Sequence, residues 1–374
     1  MDVLFYLPYN RIAFLALLEE MVVRRPYIVA GPCSVESREQ LNAVVSALSS
    51  MPQVSMIRCG VWKPRTRPGG FEGLGQKALE WIKELKAANP SLRFCCEVGR
   101  PEHAALILKY GLDAVWIGAR TTANPFMVQE LTEALRGSKV GIMVKNPPSP
   151  DVSLWVGALE RCRQVGLTDI MAVHRGFDIY KNDGYRNNPL WEMPIELRRH
   201  TPETPILCDP SHIAGRREPL ALLAQTAMDL GFEGLMVEVH PHPQQALTDA
   251  DQQITPDQLA HLVDGLILRQ TDSSVADEEL RLLREQIDHI DQQALQLLAA
   301  RFEVAKQIAR VKSQGNLAVY QPKRWESLLR RRLQTAQELG MSSDFTKALF
   351  EKIHAESVRI QESELHPEEK DKRN

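Results

Sequence analysis

YIVAGPCS (residues 27–34) begins as a β-prone apolar run and ends in Gly-Pro-Cys-Ser. The run is short and rich in β-branched and aromatic residues, as a buried strand is. The turn at its end discriminates between folds. A doubly wound nucleotide-binding sheet opens with a G-x-G-x-x-G turn after its first strand, and Gly31-Pro32-Cys33-Ser34 is not that fingerprint. Working outward, comparable runs recur as VSMIRCGVW (54–62), RFCCEV (93–98), AVWIGAR (114–120), GIMVKN (141–146), IMAVHRG (170–176), PILCDPSH (205–212) and GLMVEVHP (234–241). Amphipathic patterns separate them, for example at 76–88, 151–165 and 219–230. Eight strand-then-helix units in roughly 240 residues is the arithmetic of an α/β fold of the (β/α)8 barrel type.

The ends of these runs carry chemistry. They bear Cys33, Lys63 with Arg65, Glu97, Arg120, Lys145, His174 with Arg175, Asp209 with His212, and Glu238. Barrel enzymes assemble their sites at the C-terminal ends of the strands. Arg58, Lys63, Arg65, Arg120, Lys145 and Arg175 are expected to converge there without an equal number of acids, a mouth suited to phosphates and carboxylates. Ile117-Gly118-Ala119-Arg120 adds backbone N–H groups beside a guanidinium. The alternative for any one of these cations is a salt bridge at the barrel rim.

Cys33, His212, Glu238 and Asp249 stand after the first, seventh and eighth strands. The first and last strands of a closed barrel are neighbours, so all four can meet. Thiolate, imidazole and two carboxylates suit one borderline divalent ion per barrel, such as Mn²⁺, Fe²⁺, Co²⁺ or Zn²⁺. His240 and His242 follow proline-rich turns and read as solvent-facing, and Asp251 reads as exposed.

Beyond residue 268 the pattern changes. RQTDSSVADEE (269–279) is polar and reads as a linker. No Gly or Pro occurs from Glu278 to Lys312, and Leu280, Leu283, Ile287, Ile290, Ala294, Leu297, Leu298, Phe302, Ala305 and Ile308 recur at three- and four-residue steps. That is one amphipathic helix about 50 Å long. Two shorter helices are expected at 323–339 and 344–362, the latter behind Ser342-Ser343-Asp344 as a cap. Two short helices cannot cover so long a stripe, so a homodimer through this helix is expected, with higher assembly left open.

The domains therefore read as an extension at 1–23, a barrel at 24–268, a linker at 269–277, a helical domain at 278–365 and a charged tail at 366–374. The extension has no 20-residue apolar run and no signal-peptide pattern, and is expected to pack as a short helix of unassigned role. A net charge of -3 gives no reason to expect nucleic acid or a membrane as partner. Six cysteines in 374 residues suggest reduced thiols in the cytoplasm rather than a disulfide scaffold.

AGPCS, RCGVWKPRT, IGAR, MVKN, HRG, CDPSH with GRR, and VEVHPHPQQALTD, in this order, resemble the 3-deoxy-D-arabino-heptulosonate 7-phosphate (DAHP) synthases of the type I-beta branch, over residues 27–268. The resemblance implies condensation of phosphoenolpyruvate with erythrose 4-phosphate, the first step of the shikimate pathway. It implies that Arg120, Arg175 and the Ala119 N–H hold the phosphoenolpyruvate phosphate, Arg58 and Lys145 its carboxylate, and Arg65 with Thr66 the phosphate of erythrose 4-phosphate. Lys63 would protonate the aldehyde oxygen and Glu97 orient water, with metal on Cys33, His212, Glu238 and Asp249. The related 3-deoxy-D-manno-octulosonate 8-phosphate synthases are the alternative; Lys63-Pro64-Arg65-Thr66 favours erythrose 4-phosphate.

Residues 280–361 resemble the all-helical, AroQ-type chorismate mutases through LLREQIDHID with Arg284, LLAARFEVA with Arg301, IARVK with Lys312, and AESVRIQ with Ser357 and Gln361. The resemblance implies rearrangement of chorismate to prephenate. Arg301 and a partner chain's Arg284 would clamp carboxylates, Lys312 and Gln361 bond the ether oxygen, and Ser357 and Arg324 bind substrate. Trp325 and Gln321 stand where acidic residues are usual, and Glu326 is rotated about 100° from the required direction. The fusion implies feedback by prephenate. The alternative makes the tail a non-catalytic dimerisation and sensor module.

Overall fold

The computed structural model describes residues 26–63, 69–180, 184–269 and 277–365. The expectations for Arg65, Thr66, residues 1–23, most of the 269–277 linker and the 366–374 tail fall outside the described residues. The chain divides into two compact units, Met1–Thr271 and Asp272–Asn374.

The first unit is a closed parallel barrel in the order β1 to β8. Its strands are β1 (Tyr27–Gly31), β2 (Val54–Arg58), β3 (Phe94–Val98), β4 (Ala114–Ile117), β5 (Gly141–Lys145), β6 (Ile170–His174), β7 (Ile206–Cys208) and β8 (Gly234–Glu238). The eight runs expected from the sequence each form a strand, and six of the eight strands are buried at every position. Strands covered on both faces need apolar residues throughout, which is why the runs do not alternate. Closure pairs β1 with β8 from Tyr27↔Gly234 to Gly31↔Glu238, which sets the Cys33 loop beside Glu238.

The helices of this unit are α1 (Arg38–Ser49), α2 (Gln76–Ala88), α3 (Pro101–Tyr110), α4 (Ala119–Thr122), α5 (Pro125–Ala134), α6 (Val152–Gln164), α7 (Glu192–His200), α8 (Pro210–Ala214), α9 (Leu220–Asp229) and α10 (Pro256–Asp264). The inner faces of these helices bury apolar residues, of which Leu41, Val44, Val45 and Leu48 of α1 are examples, each contributing about 1.5–3 kcal/mol on burial. At Gly60 the packing forbids a side chain, since a Cβ would lie 1.7 Å from the Cys33 carbonyl oxygen. The β1 and β2 loops therefore approach backbone to backbone.

The second unit holds α11 (Asp277–Gln314), α12 (Pro322–Glu338) and α13 (Ser343–Leu365). α13 packs against both α11 and α12. Buried Ala305 and Ala309 let α11 approach closely, and Ser357 and Gln361 of α13 are buried polar residues. Leu280, Leu283, Ile287, Ile290, Leu297 and Ile308 of α11 stay exposed in the single chain. No described helix is long and apolar enough to cross a membrane.

Candidate active sites

At the barrel mouth, ligand atoms of Cys33, Glu238 and Asp249 lie within 4.8 Å of one another. The Cys33 thiol reaches Asp249 Oδ2 at 3.3 Å. His212 joins from α8, its Nε2 3.7 Å from Glu238 Oε1. His212 Nδ1 stands 2.8 Å from Asp209 Oδ2, so the proton is expected on Nδ1 and the lone pair on Nε2, toward the cluster. Burial lowers the His212 pKa, keeping the imidazole in its ligating, neutral form. Burial pushes the Cys33 thiol up to about 12, with the Glu238 charge adding to it. A cation at this point would reverse that balance, because a coordinating thiol is deprotonated outright. The donor set and its spacing thus fit a borderline divalent ion.

Asp249 holds its place with φ +47, a left-handed conformation that Asp tolerates better than most residues. Its carboxyl is held well below the usual carboxylate range: burial opposes this, but the charges of Arg186 and Lys63 outweigh it.

Two amides and one arginine behind the ligands, Gln253, Gln252 and Arg186, carry no obvious sequence signal. Gln253 Oε1 accepts the Cys33 N–H at 3.0 Å, and Gln252 Nε2 donates to Glu238 Oε2 at 2.6 Å. Arg186 donates to Asp249 Oδ1 at 3.0 Å and to Gln252 Oε1 at 2.7 Å. Arg217, of the GRR motif, bonds the Gln253 carbonyl at 2.7 Å and so pins the same loop.

The cationic mouth differs from the expectation in one respect. Two of its cations face buried acids: Arg58 Nη2 donates to Glu238 Oε1 at 2.9 Å, and Lys145 Nζ to Asp209 Oδ2 at 2.7 Å. Full burial makes such pairing necessary, since an unpaired interior charge is costly. Arg58 is nonetheless only half satisfied. Its Nε and Nη1 are buried without hydrogen-bond partners among the described residues, and its guanidinium lies 5.0 Å over the Trp116 ring. Lys145 lies 6.0 Å from the same ring; burial lowers its pKa despite Asp209.

Arg175 Nη1 donates to Asn187 Oδ1 at 2.8 Å, and burial brings its pKa down to about 10. Ala119 and exposed Arg120 open α4 directly after β4. Glu97 packs so closely under that turn that a Cβ on Gly118 would lie 2.3 Å from its Oε1. Lys63 is half-buried. Burial opposes its charge, but the carboxylates of Glu238 and Glu97 favour it, so its pKa is raised and it carries a proton at neutral pH.

His240 corrects the sequence reading. It is buried, with Nε2 3.6 Å from Glu36 Oε2, because the chain after β8 bonds back through His240 N–H to the Ile254 carbonyl at 2.9 Å. His242 and Asp251 are exposed, as expected.

In the helical unit, Arg301 Nη1 donates to Ser357 Oγ, and Lys312 Nζ donates to Gln361 Oε1 at 3.1 Å. Four of the expected residues therefore meet between α11 and α13. Burial and the nearby Arg332 lower the Arg301 pKa. Arg284 is exposed on α11. Arg324 is exposed and lines a groove on α12 with Leu328, Arg331 and Arg332. Trp325 stacks on His354 at 4.1 Å, a contact the sequence does not suggest.

Comparison with known proteins gives the family of each unit. The family model described as the DAHP synthetase I family matches residues 23–276, and that of chorismate mutase type II matches residues 283–362. A phospho-2-dehydro-3-deoxyheptonate aldolase of Thermotoga maritima is 33% identical over 227 residues, covering 61% of this chain and 64% of that protein. A 2-dehydro-3-deoxyphosphooctonate aldolase of Nitratidesulfovibrio vulgaris is 25% identical over 264 residues, covering 67% of this chain and 93% of that protein. The crystal structure of the Thermotoga maritima DAHP synthase superposes with a TM-score of 0.57 at 31% identity, covering 64% of this chain and 67% of that one. A truncated form of a Thermotoga maritima 3-deoxy-D-arabino-heptulosonate 7-phosphate synthase gives 0.55 at 28% identity, covering 64% and 84%. The chain belongs to the DAHP synthetase I family, and carries a chorismate mutase type II domain after its barrel.

Proposed function

We propose that the chain is a bifunctional shikimate-pathway enzyme: a metal-dependent DAHP synthase joined to a chorismate mutase, with prephenate as feedback inhibitor of the synthase. The observation that carries the first half is the Cys33–Glu238–Asp249 cluster beside a buried, half-satisfied Arg58 guanidinium.

In the synthase reaction, C3 of phosphoenolpyruvate bonds to the aldehyde carbon of erythrose 4-phosphate. Water adds at C2, and phosphate leaves from that carbon. Arg58 offers its open Nε and Nη1 to the phosphoenolpyruvate carboxylate, assisted by Lys145. Arg120, Arg175 and the Ala119 N–H take its phosphate, and Arg65 with Thr66 takes the phosphate of the aldehyde substrate. Lys63 delivers a proton to the aldehyde oxygen as the carbon–carbon bond forms. Glu97 orients the water. Cys33, His212, Glu238 and Asp249 would hold one divalent ion, with Mn²⁺ the first choice over Fe²⁺, Co²⁺ and Zn²⁺. When bound, such an ion supplies Lewis acidity toward the aldehyde oxygen.

The mutase reaction needs no nucleophile and no proton transfer. The protein holds a dicarboxylate compactly and stabilises charge on the ether oxygen. Arg301 with Ser357 suits a carboxylate, and Lys312 with Gln361 suits the ether oxygen. The exposed apolar stripe of α11 supports a homodimer, in which Arg284 of a second copy completes the site. Six free, buried thiols accord with a reducing cytoplasm.

Purified chain, stripped and reloaded with Mn²⁺, tests the reading. Phosphate release is expected with phosphoenolpyruvate plus erythrose 4-phosphate, little with arabinose 5-phosphate, and none with chelator present. Chorismate should be consumed, and prephenate should slow phosphate release. Preference for arabinose 5-phosphate would make the barrel an octulosonate 8-phosphate synthase. Undiminished chorismate would make the tail a sensor and dimerisation module.

A further inference from the structure

His354 lies three residues before Ser357 and seven before Gln361 on α13, a spacing that shares one helix face. That face carries the two side chains bonded to Arg301 and Lys312. The imidazole is clamped by aromatic rings: Trp325 stacks on it at 4.1 Å with 13° between planes, and Tyr320 stands 5.8 Å away. The stack fixes the ring plane, and so the direction in which its nitrogens point. Nε2 is buried and has no hydrogen-bond partner among the described residues. A buried polar atom of this kind is usually met by a hydrogen-bond partner, whether water, an ion or a ligand.

Charge decides what this nitrogen can bind. Burial lowers the His354 pKa, and the charges of Arg301 and Lys312 lower it further. The ring is neutral near pH 7, and a neutral imidazole has one acceptor nitrogen. The chorismate dianion carries two carboxylates and an ether oxygen, all acceptors, and a single hydroxyl, its only donor. Arg301, Ser357, Lys312 and Gln361 already match the acceptors.

We propose that Nε2 of His354 accepts a hydrogen bond from the ring hydroxyl of chorismate, with Trp325 holding the imidazole in the plane that makes this contact. The proposal rests on the mutase reading above. It also gives Trp325 a role: the hydroxyl subsite is supplied from α13, so Glu326 need not turn toward it.

The test uses the full-length, metal-loaded chain and two probes. One is an oxabicyclic dicarboxylate that mimics the rearrangement transition state and bears the hydroxyl; the other is its deoxy counterpart. Calorimetric titration of the wild type should give a preference of about tenfold or more for the hydroxylated probe. His354→Leu should remove the preference by weakening only that probe, and His354→Gln, which keeps an acceptor, should retain most of it. The deoxy probe serves as the control for folding. The proposal is overturned if the wild type binds both probes equally, if His354→Leu keeps the preference, or if it weakens both probes alike. A wild type that binds neither probe overturns the mutase reading and the hydroxyl subsite together. If His354→Leu fails to fold, the wild-type ratio and His354→Gln still decide.

Discussion

Asp209→Asn probes how the barrel mouth is held together. One carboxylate oxygen accepts from Lys145 Nζ at 2.7 Å and lies 2.8 Å from His212 Nδ1. The other accepts the His212 backbone N–H at 3.0 Å, capping α8. Asparagine preserves the shape and the cap. With the oxygen kept on the cap, its amide nitrogen takes the place of Oδ2 and accepts from neither Lys145 nor His212, and the lysine charge, whose side chain is 5% exposed, loses its buried counter-ion. Breaking a buried pair by removing one partner costs about 3–5 kcal/mol. Burial already lowers the Lys145 pKa, so shedding the proton limits the loss, and about 3 kcal/mol is expected in metal-free protein. His212 also loses the group that orients its ring, which should weaken metal affinity by about 10- to 100-fold. Urea unfolding followed by barrel tryptophan fluorescence reads the first quantity, and chelator competition reads the second. An unchanged unfolding midpoint together with unchanged metal affinity would refute the reasoning.

The same geometry sets three other outcomes. Buried His174 has its pKa pulled down from 6.5 to about 3, by burial first and Arg175 second. The unfolded chain therefore binds the extra proton. Stability should be fully present above pH 6.5 and fall toward pH 3 at up to about 1.4 kcal/mol per unit from this group; His174→Phe should flatten that slope in pH-dependent denaturation. Gly60→Ala forces a Cβ to within 1.7 Å of the Cys33 carbonyl oxygen, and should abolish metal retention on a desalting column even where protein is recovered. Lys312→Met removes the donor to Gln361 and should cut chorismate turnover by about 10²–10³-fold with an unchanged circular dichroism melt; a loss under about threefold would exclude it from the site.

Much of this architecture is legible because a parallel barrel imposes a simple pattern. Strands buried on both faces read as unbroken apolar runs, and the side chain that ends each run stands at the mouth. Cys33 and Asp249 can be brought together across 216 residues because closure makes β1 and β8 neighbours. Position is readable; partnership is not. Nothing in the pattern indicates that Glu238 serves Arg58 as well as the cluster, or that Asp209 binds Lys145 and His212 together. The buried amides of Gln252 and Gln253 sit in the same stretch as the acids, yet an uncharged amide in a polar loop looks like solvated surface. His240 departs from its sequence reading for a similar reason. Proline-flanked histidines suggest a loop in water, whereas a bridge from Val239 to Ile254 carries this one inside. In the helical unit, the resemblance to AroQ-type mutases points to Arg301, Lys312, Ser357 and Gln361, but stacking of Trp325 on His354 depends on how α12 meets α13.

X-ray absorption of the zinc- or cobalt-substituted chain tests the central claim most directly. The account predicts one divalent ion per barrel whose first shell contains a single sulfur, at about 2.3 Å for zinc, with nitrogen and oxygen making up the rest. The sulfur should disappear in Cys33→Ser. A shell of nitrogen and oxygen alone in the wild type, or a sulfur signal that survives Cys33→Ser, would contradict it.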